Sequence, residues 1–154
     1  MNLLKFFIIL LIIYSCGQNK LIDKFIDLKE MTWVADSTLI YKISTDESNS
    51  DKSFFIRIRY SLDYPYQNLY YSYSLIDSLD TIIHNPLNEI LLFNQKSGKP
   101  IGSGISSLFT IEENIIQKIK LKNNNSYQFH IRQLMRKDYL KGINSVGLMV
   151  KKND

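Results

Sequence analysis

The sequence predicts an all-β domain, an antiparallel β-sandwich of two packed sheets with at least seven strands, behind a lipoprotein signal peptide and a short tether. Apolar and aromatic side chains alternate with polar ones along most of the chain, and turn-forming residues separate the alternating runs. Successive side chains of a strand point to opposite faces, so a period of two with β-branched and aromatic residues indicates half-buried strands. Strands with one apolar face need a second sheet to cover it.

Seven runs carry the alternating pattern, and turn chemistry separates them. The clearest turns are the asparagines of residues 123–125 and the Ser-Gly-Lys-Pro stretch of residues 97–100, which are typical of hairpins. A polar segment at 46–52 is predicted to be a loop. The runs are residues 38–43, 54–62, 69–76, 88–93, 115–122, 127–132 and 146–150.

The N-terminus has the layout of a bacterial lipoprotein signal. Lys5 supplies the positive charge, residues 6–13 are an unbroken apolar run, and Ser15 precedes Cys16, the only cysteine of the chain. The run is shorter than the ~20 apolar residues that a bilayer span needs, and its length suits the core of a signal peptide. We therefore expect a diacylglyceryl group on the Cys16 thiol and a further acyl chain, such as palmitate, on its freed amine, because stable anchoring takes two signals. A buried thiol and a plain secretory signal are the alternatives.

These signals divide the chain into a signal peptide (1–15), a lipidated N-terminus with a tether (16–33) and a β-sandwich domain (34–154). Cleavage leaves about 139 of the 154 residues, enough for one domain with a core of its own. Within the tether, apolar residues at 21, 22, 25 and 26 have a helix-like spacing over about two turns. Trp33 is expected to dock this segment onto the domain.

Composition and motifs argue against catalytic, metal-binding and nucleic-acid-binding functions. The net charge of +4 is far from the clustered basic stripe of a nucleic-acid binder. His84 and His130 lie in no recognisable catalytic context, and no Gly-x-Ser-x-Gly motif is present. Cys16 is committed to lipid and the histidines are far apart in sequence, which disfavours a metal site. The glycine-rich stretch 98–104 lacks the ending of a phosphate loop. No enzyme activity, cofactor or metal is expected.

An aromatic turn between two strong strands is the first candidate interaction site. It contains Asp63, Tyr64, Pro65, Tyr66 and Asn68. Exposed tyrosine rings would form a binding patch, since tyrosine supplies contact area at a low entropy cost. Buried rings would instead cap the sandwich, and the sequence leaves both alternatives open.

The second candidate site follows a predicted strand, where the alternation breaks down. Arg132 and Arg136 lie there, and Gly142 and Gly147 are expected to serve the backbone geometry of the same region. The planar fork of arginine suits pairing with carboxylates. Either arginine could therefore bind a partner or hold the segment to an acid of the sandwich.

These two segments and the N-terminal signal resemble the GldH family of gliding-motility lipoproteins from Bacteroidota. The Asp-Tyr-Pro-Tyr block at 63–66, followed by the Met-Arg…Gly-Ile…Val-Gly block within 135–147, is a fairly specific combination. Two regions depart from the family pattern, a short link between Arg136 and Leu140 and a weakly matching middle at 82–93. The matching residues are Trp33, 56–59, 63–70, Gly102, Gly104, Ile131, Gln133, Met135, Arg136, Leu140, Gly142, Ile143, Val146 and Gly147.

The resemblance implies a non-enzymatic envelope protein that supports gliding motility and the type IX secretion machinery associated with it. Its partners would be membrane lipid, through acylated Cys16, and envelope proteins of that apparatus. Residues 17–20 lack the acidic cluster associated with surface export, so we expect an outer-membrane position facing the periplasm. The alternative is a carbohydrate-binding envelope lipoprotein, which would need two or three coplanar, exposed rings on one face.

Overall fold

The computed structural model describes residues 20–47, 50–77 and 81–153, and this part of the chain is a β-sandwich, as the sequence predicts. Cys16 and the rest of residues 1–19 lie outside the described residues, so the lipidation site stays a prediction. Eleven strands and one 3-10 turn at Lys29–Met31 make up the domain. The strands are β1 Lys20–Asp27, β2 Thr32–Val34, β3 Leu39–Ser44, β4 Lys52–Ser61, β5 Asn68–Ile76, β6 Thr81–Leu91, β7 Ser103–Ile105, β8 Leu108–Ile119, β9 Ser126–Gln133, β10 Tyr139–Lys141 and β11 Ile143–Lys152.

Two antiparallel sheets and a short ribbon form the layers. The larger sheet has the strand order β1-β11-β4-β8-β7, the smaller one β3-β9-β5-β6, and β10 pairs with β2. The predicted alternation is plain on β5, where every second residue from Leu69 to Leu75 is buried. Phe54 of β4 meets Phe129 of β9 across the core, with ring centroids 5.5 Å apart.

Three of the ten tyrosines connect the two layers by hydrogen bonds. The Tyr41 hydroxyl donates to the Val146 carbonyl (2.7 Å), and the Tyr73 hydroxyl donates to the Ile115 carbonyl (3.0 Å). The Tyr60 hydroxyl donates to the carbonyl of Leu92, just beyond β6 (2.6 Å). Because these rings are buried, each needs a partner for its hydroxyl, and a backbone carbonyl of the facing layer supplies it.

The helix-like spacing expected for residues 21–29 is wrong, because Lys20–Asp27 is a strand at the edge of the larger sheet. Ile22 and Ile26 pair with residues of β11 whose side chains enter the core, whereas Phe25 lies on the opposite face above Gly147. An edge strand with apolar side chains on both faces imitates the spacing of an amphipathic helix. Residues that the sequence assigned to the tether therefore belong to the sheet.

Trp33 docks on the body of the domain, as expected. It lies in β2, is fully buried and donates from its indole nitrogen to the Ser37 carbonyl (3.3 Å). No helix in the described ranges is long and apolar enough to cross a bilayer.

The strands run lengthwise, so turns and loops gather at two ends of the sandwich. What we call the proximal end contains Lys20, the loop after β3, the turn between β8 and β9, and the last residues of β11. The distal end contains residues 28–34, 62–68, 92–107 and 134–142. Both sheets share this polarity, since Lys152 pairs with Asp46 at the proximal end and Tyr60 reaches Leu92 near the distal end.

Candidate functional site

A cleft of about 690 Å³ opens at the distal end, between the start of β5, the second half of β6 and the loop that follows β9. This volume is in the usual range for ligand pockets, ~300–1,000 Å³. The cleft brings together the aromatic turn and the arginine-bearing segment that the sequence singled out separately. Its lining residues are Tyr66, Asn68, Tyr70, Leu87, Leu134, Met135, Arg136 and Lys137.

The two tyrosines of the aromatic turn have different roles: one packs beneath the turn and the other lines the cleft. Tyr64 is 4% exposed and donates its hydroxyl to the Asn68 carbonyl (2.7 Å), and its burial raises the pKa of the phenol. The Tyr66 ring lies edge-on to it, with centroids 5.8 Å apart and planes at 74°. Tyr64 is therefore a packing residue beneath the turn, while half-buried Tyr66 faces the cleft.

The other predicted residues of the turn differ in their contribution. Asn68 lines the cleft, where its side-chain amide donates to the Glu89 carboxylate (2.6 Å). Asp63 and Pro65 are exposed and do not line it, and the Asp63 amide donates to the Ser61 hydroxyl (3.2 Å). Of the five residues predicted in this turn, Tyr66 and Asn68 belong to the cleft itself.

The opposite wall is a loop that one buried amide holds in place. The Met135 backbone N–H donates to Gln133 Oε1 (2.7 Å), and Gln133 Nε2 donates to the Lys137 carbonyl (2.9 Å). The Leu134 N–H also donates to the Tyr70 carbonyl (2.8 Å), which ties the loop to β5. Gln133 is 2% exposed, so its amide fixes the backbone on both sides of Arg136.

Gln133 is a site residue that the sequence analysis missed. A signal for it was present, because Gln133 continues the inward-facing series of Tyr127, Phe129 and Ile131 on β9. A polar residue in an apolar series needs hydrogen-bond partners when it is buried. The identity of those partners depends on the course of the following loop.

Two cations stand at the rim of the cleft. Arg136 and Lys137 are both exposed, and neither forms an ion pair with an acid of the described ranges. Arg132 is exposed as well and has no such pair, but its residue lies opposite Ser72, away from the cleft lining. Thus no acid in the described part of the chain holds either arginine, and of the two only Arg136 lines the cleft.

Among the described residues, no pair of exposed aromatic rings forms the coplanar platform that a sugar site needs. In the aromatic turn, the rings of Tyr64 and Tyr66 meet edge to face and are not coplanar. The near-parallel pairs Tyr71–Tyr73 and Tyr73–Phe129, with planes at 29° and 20°, lie in the core. Their burial keeps them from contact with a ligand.

The histidines lie on the outer face of the smaller sheet. His84 Nδ1 is 2.8 Å from the Ser74 hydroxyl, and His130 Nε2 is 3.0 Å from Gln128 Oε1. Within residues 20–47, 50–77 and 81–153, no group of three or more His, Cys, Asp or Glu side chains has the geometry of a metal site. Glu112 and Glu113 are neighbours within β8 and face opposite sides of the sheet, so their carboxylates do not form a pair.

A family model and a known relative point to the same family. A family model described as GldH lipoprotein matches residues 20–150. The chain is 25% identical to a gliding motility lipoprotein GldH homolog from Christiangramia forsetii, over 96% of this chain and 94% of that protein. Among solved structures, dimeric latent PorU from Porphyromonas gingivalis is similar over 90% of this chain, with a TM-score of 0.38 and 10% identity. The chain spans only 14% of the length of that structure.

Proposed function

The chain belongs to the GldH lipoprotein family, and we propose that it supports gliding motility and the associated type IX secretion machinery by binding another envelope protein. In this proposal it is a non-enzymatic lipoprotein of the outer membrane that faces the periplasm. The family match agrees with the resemblance read from the sequence. The C. forsetii relative, named as a gliding motility lipoprotein, supports the motility role.

The observation that carries the interaction role is the composition of the distal cleft. Aromatic and aliphatic side chains line it, and two cations without a described acidic partner stand at its rim. Aromatic residues, methionine and arginine are the side chains enriched in protein–protein interfaces. An acid–base pair suited to catalysis is not assembled around the cleft by the residues that line it.

The membrane anchor in this proposal is a lipid on Cys16. The lipoprotein signal, the single cysteine at its end and the lipoprotein family support it. Replacing Cys16 by alanine is expected to release the protein from the membrane fraction and to remove the mass of the acyl chains. Fractionation and intact-mass measurement test this, and a membrane-bound Cys16→Ala protein of unchanged mass would contradict it.

Deletion of the gene in its native host tests the motility and secretion roles together. Colony spreading and the secreted proteome are scored in the deletion strain, in the complemented strain and in a strain carrying Cys16→Ala. We expect both spreading and secretion to fail without the gene and to return on complementation. Normal spreading and normal secretion would refute the proposal and favour the carbohydrate-binding alternative, which binding of envelope polysaccharides to the full-length protein would then test.

A further inference from the structure

The two ends of the sandwich differ in their exposed side chains. Of the ten large hydrophobic residues that are exposed in the described part of the chain, eight cluster around the distal end, and only Ile40 and Ile82 lie elsewhere. Exposed apolar side chains that gather at one end of a folded domain indicate an interaction site there. The eight residues are Val34, Leu62, Leu87, Leu91, Ile101, Ile105, Leu134 and Tyr139.

The chain enters the domain at the other end. β1 begins at Lys20, four residues after Cys16, and four residues span at most about 14 Å when fully extended. Lys20 pairs with Lys151 at the end of β11. If Cys16 carries lipid, as proposed above, the proximal end therefore lies close to the lipid head groups.

The length of the strands then sets the height of the cleft. β4 and β11 have ten residues each, and at 3.3 Å per residue such a strand is about 33 Å long. The distal cleft lies at the far end of these strands, so with the strands upright on the membrane it stands roughly 30 Å from the head groups. Membrane lipid does not reach the cleft in that orientation.

We propose that the distal end is the docking surface for an extended, acidic segment of a protein partner, with one apolar side chain in the cleft and a carboxylate on Arg136 and Lys137. The proposal rests on the function proposed above and names the partner's chemistry. The apolar lining suits an aliphatic or aromatic side chain, and an arginine fork binds a carboxylate through two parallel hydrogen bonds. Charge complementarity between these two cations and the segment fixes its orientation.

The two hydrogen bonds of the Gln133 side chain, which we call the Gln133 clamp, hold the cleft loop in one conformation before a partner binds. Because its amide fixes the backbone on both sides of Arg136, the loop does not have to be ordered when a partner arrives. Ordering a loop at an interface costs affinity, and a preformed loop avoids that cost.

Photo-crosslinking in living cells tests the docking surface with a control on the same strand. The full-length protein carries p-benzoylphenylalanine either in place of Leu87 or in place of Ile82. Both residues belong to β6, and they are 63% and 41% exposed, but Leu87 lines the cleft. We expect a protein adduct from position 87 and none from position 82.

The crosslinked peptide and a charge reversal decide the chemistry. Mass spectrometry of the adduct is expected to find a partner segment with Asp or Glu beside an apolar residue. The double variant Arg136→Glu, Lys137→Glu is expected to lower the crosslinking yield at position 87 at least tenfold. The control variant Lys118→Glu, Lys120→Glu makes the same change of charge at two exposed residues near the proximal end. We expect it to leave the yield unchanged.

Several results would overturn the inference. One is an equal yield of protein adduct from positions 82 and 87, and another is a lipid or glycan adduct at position 87. The others are a crosslinked partner segment that is neutral or basic, and a crosslinking yield that the Arg136→Glu, Lys137→Glu variant leaves unchanged. Failure of the proposed function is a different result. In that case spreading and secretion persist in the deletion strain, while the acidic adduct at position 87 still forms.

Discussion

Gly142 is the residue at which the backbone beneath the cleft leaves least room. It has φ +88°, and a Cβ added there would lie 2.6 Å from the Cα of Tyr64 and 2.7 Å from its nitrogen. Both obstacles are backbone atoms of the aromatic turn, so a side chain at 142 must displace the turn itself. Gly98 also has a positive φ, +66°, but nothing lies within 4 Å of the position of its Cβ.

These two glycines form a matched pair for mutation. Gly142→Ala is expected to lower the free energy of unfolding by about 3 kcal/mol, because backbone strain and a steric clash add together. Gly98→Ala is expected to cost about 1 kcal/mol from the left-handed conformation alone. Urea denaturation of both variants measures the difference, and equal losses would contradict the role assigned to the Tyr64 contact.

Gln133 offers a second prediction at the residue scale. Gln133→Leu leaves the Met135 N–H and the Lys137 carbonyl without the side-chain partners that they have now. We expect a loss of roughly 1–3 kcal/mol in the free energy of unfolding, the cost of unsatisfied groups. Exposed Gln128, on the same strand, provides the control Gln128→Leu, which should change stability by less than about 0.5 kcal/mol.

The role of the clamp has its own readout. Because the loop carrying Arg136 loses its support, Gln133→Leu is also expected to lower crosslinking from position 87. Gln128→Leu should leave crosslinking intact. A destabilised Gln133→Leu protein with full crosslinking would show that the amide stabilises the fold without preparing the cleft.

At the scale of elements, tyrosine hydroxyls connect the strands of one sheet to the carbonyls of the other layer. For one of these carbonyls, that of Ile115, a β-bulge explains why it is available to a tyrosine hydroxyl. A register shift between β4 and β8 falls where Ile116 and Asn114 pair with consecutive residues of β4, which leaves Ile115 between them. A β-bulge leaves its extra residue unpaired, and the Tyr73 hydroxyl donates to the carbonyl of that residue.

Tyr41 provides the test of these cross-layer bonds. It is 1% exposed, burial raises the pKa of its phenol, and its hydroxyl donates to Val146. Tyr41→Phe keeps the ring but removes the hydrogen bond to the Val146 carbonyl, so we expect a loss of about 0.5–1.5 kcal/mol in the free energy of unfolding. Tyr139→Phe, at a residue that is 69% exposed, should have no measurable effect in the same thermal or urea denaturation. A neutral Tyr41→Phe would contradict the structural role of the bond.

Side chains on both faces of β1 make contacts that hold the strand in the sheet. Phe25 lies beneath two guanidinium groups. The Cζ atoms of Arg57 and Arg59 are 4.4 and 4.3 Å from its ring centroid, a distance that allows cation–π attraction. Asp23 forms an ion pair with Arg57, and the other face of the strand packs on the core. A lipid on Cys16 would therefore hold the sheet through a short link, which keeps the proximal end near the membrane.

At the scale of the whole molecule, this attachment predicts a fixed orientation on the membrane. The chain has one cysteine, and lipidation would block its thiol, so an introduced cysteine can be labelled alone. We compare a fluorescent label on Lys120→Cys, near the proximal end, with the same label on Lys96→Cys, in the distal turn after β6. Both lysines are exposed.

The lipidated proteins are placed in vesicles that contain lipid with a spin-labelled head group. We expect strong quenching of the label at 120 and little at 96, because the two positions are separated by about the length of a strand, roughly 30 Å. Equal quenching, or stronger quenching at 96, would contradict the orientation. Quenching at neither position, together with loss of the protein from the vesicles, would point to failed anchoring.

The strands that the sequence predicts well are those with one face in the core and one outside. β5 and β9 are examples, because each alternates between buried and less buried residues along its length. β2, β7 and β10 have three residues each, too few to show a period. β1 shows a misleading one, because its apolar residues are needed on both faces.

The candidate site was predictable in its parts but not in its assembly. Tyr66, Asn68 and Arg136 were identified from local composition, and the structure brings them to one cleft. Arg132, identified in the same way, lies outside the lining, because the strand directs it to the outer face of the sheet. Leu87 had no local feature that separates it from an ordinary strand residue, and Gln133 had only its place in the inward-facing series of β9, which does not reveal its hydrogen-bond partners.

The sequence by itself determined the class of the fold, the family and the predicted lipid site, because alternation, turns and the N-terminal signal are local patterns that neighbouring residues carry. Only the tertiary structure decided which tyrosine is buried, which arginine reaches the cleft, and that the cleft lies at the end opposite Lys20. Those properties depend on strand register and on the order of strands in the sheets. Contacts between residues far apart in the chain set both.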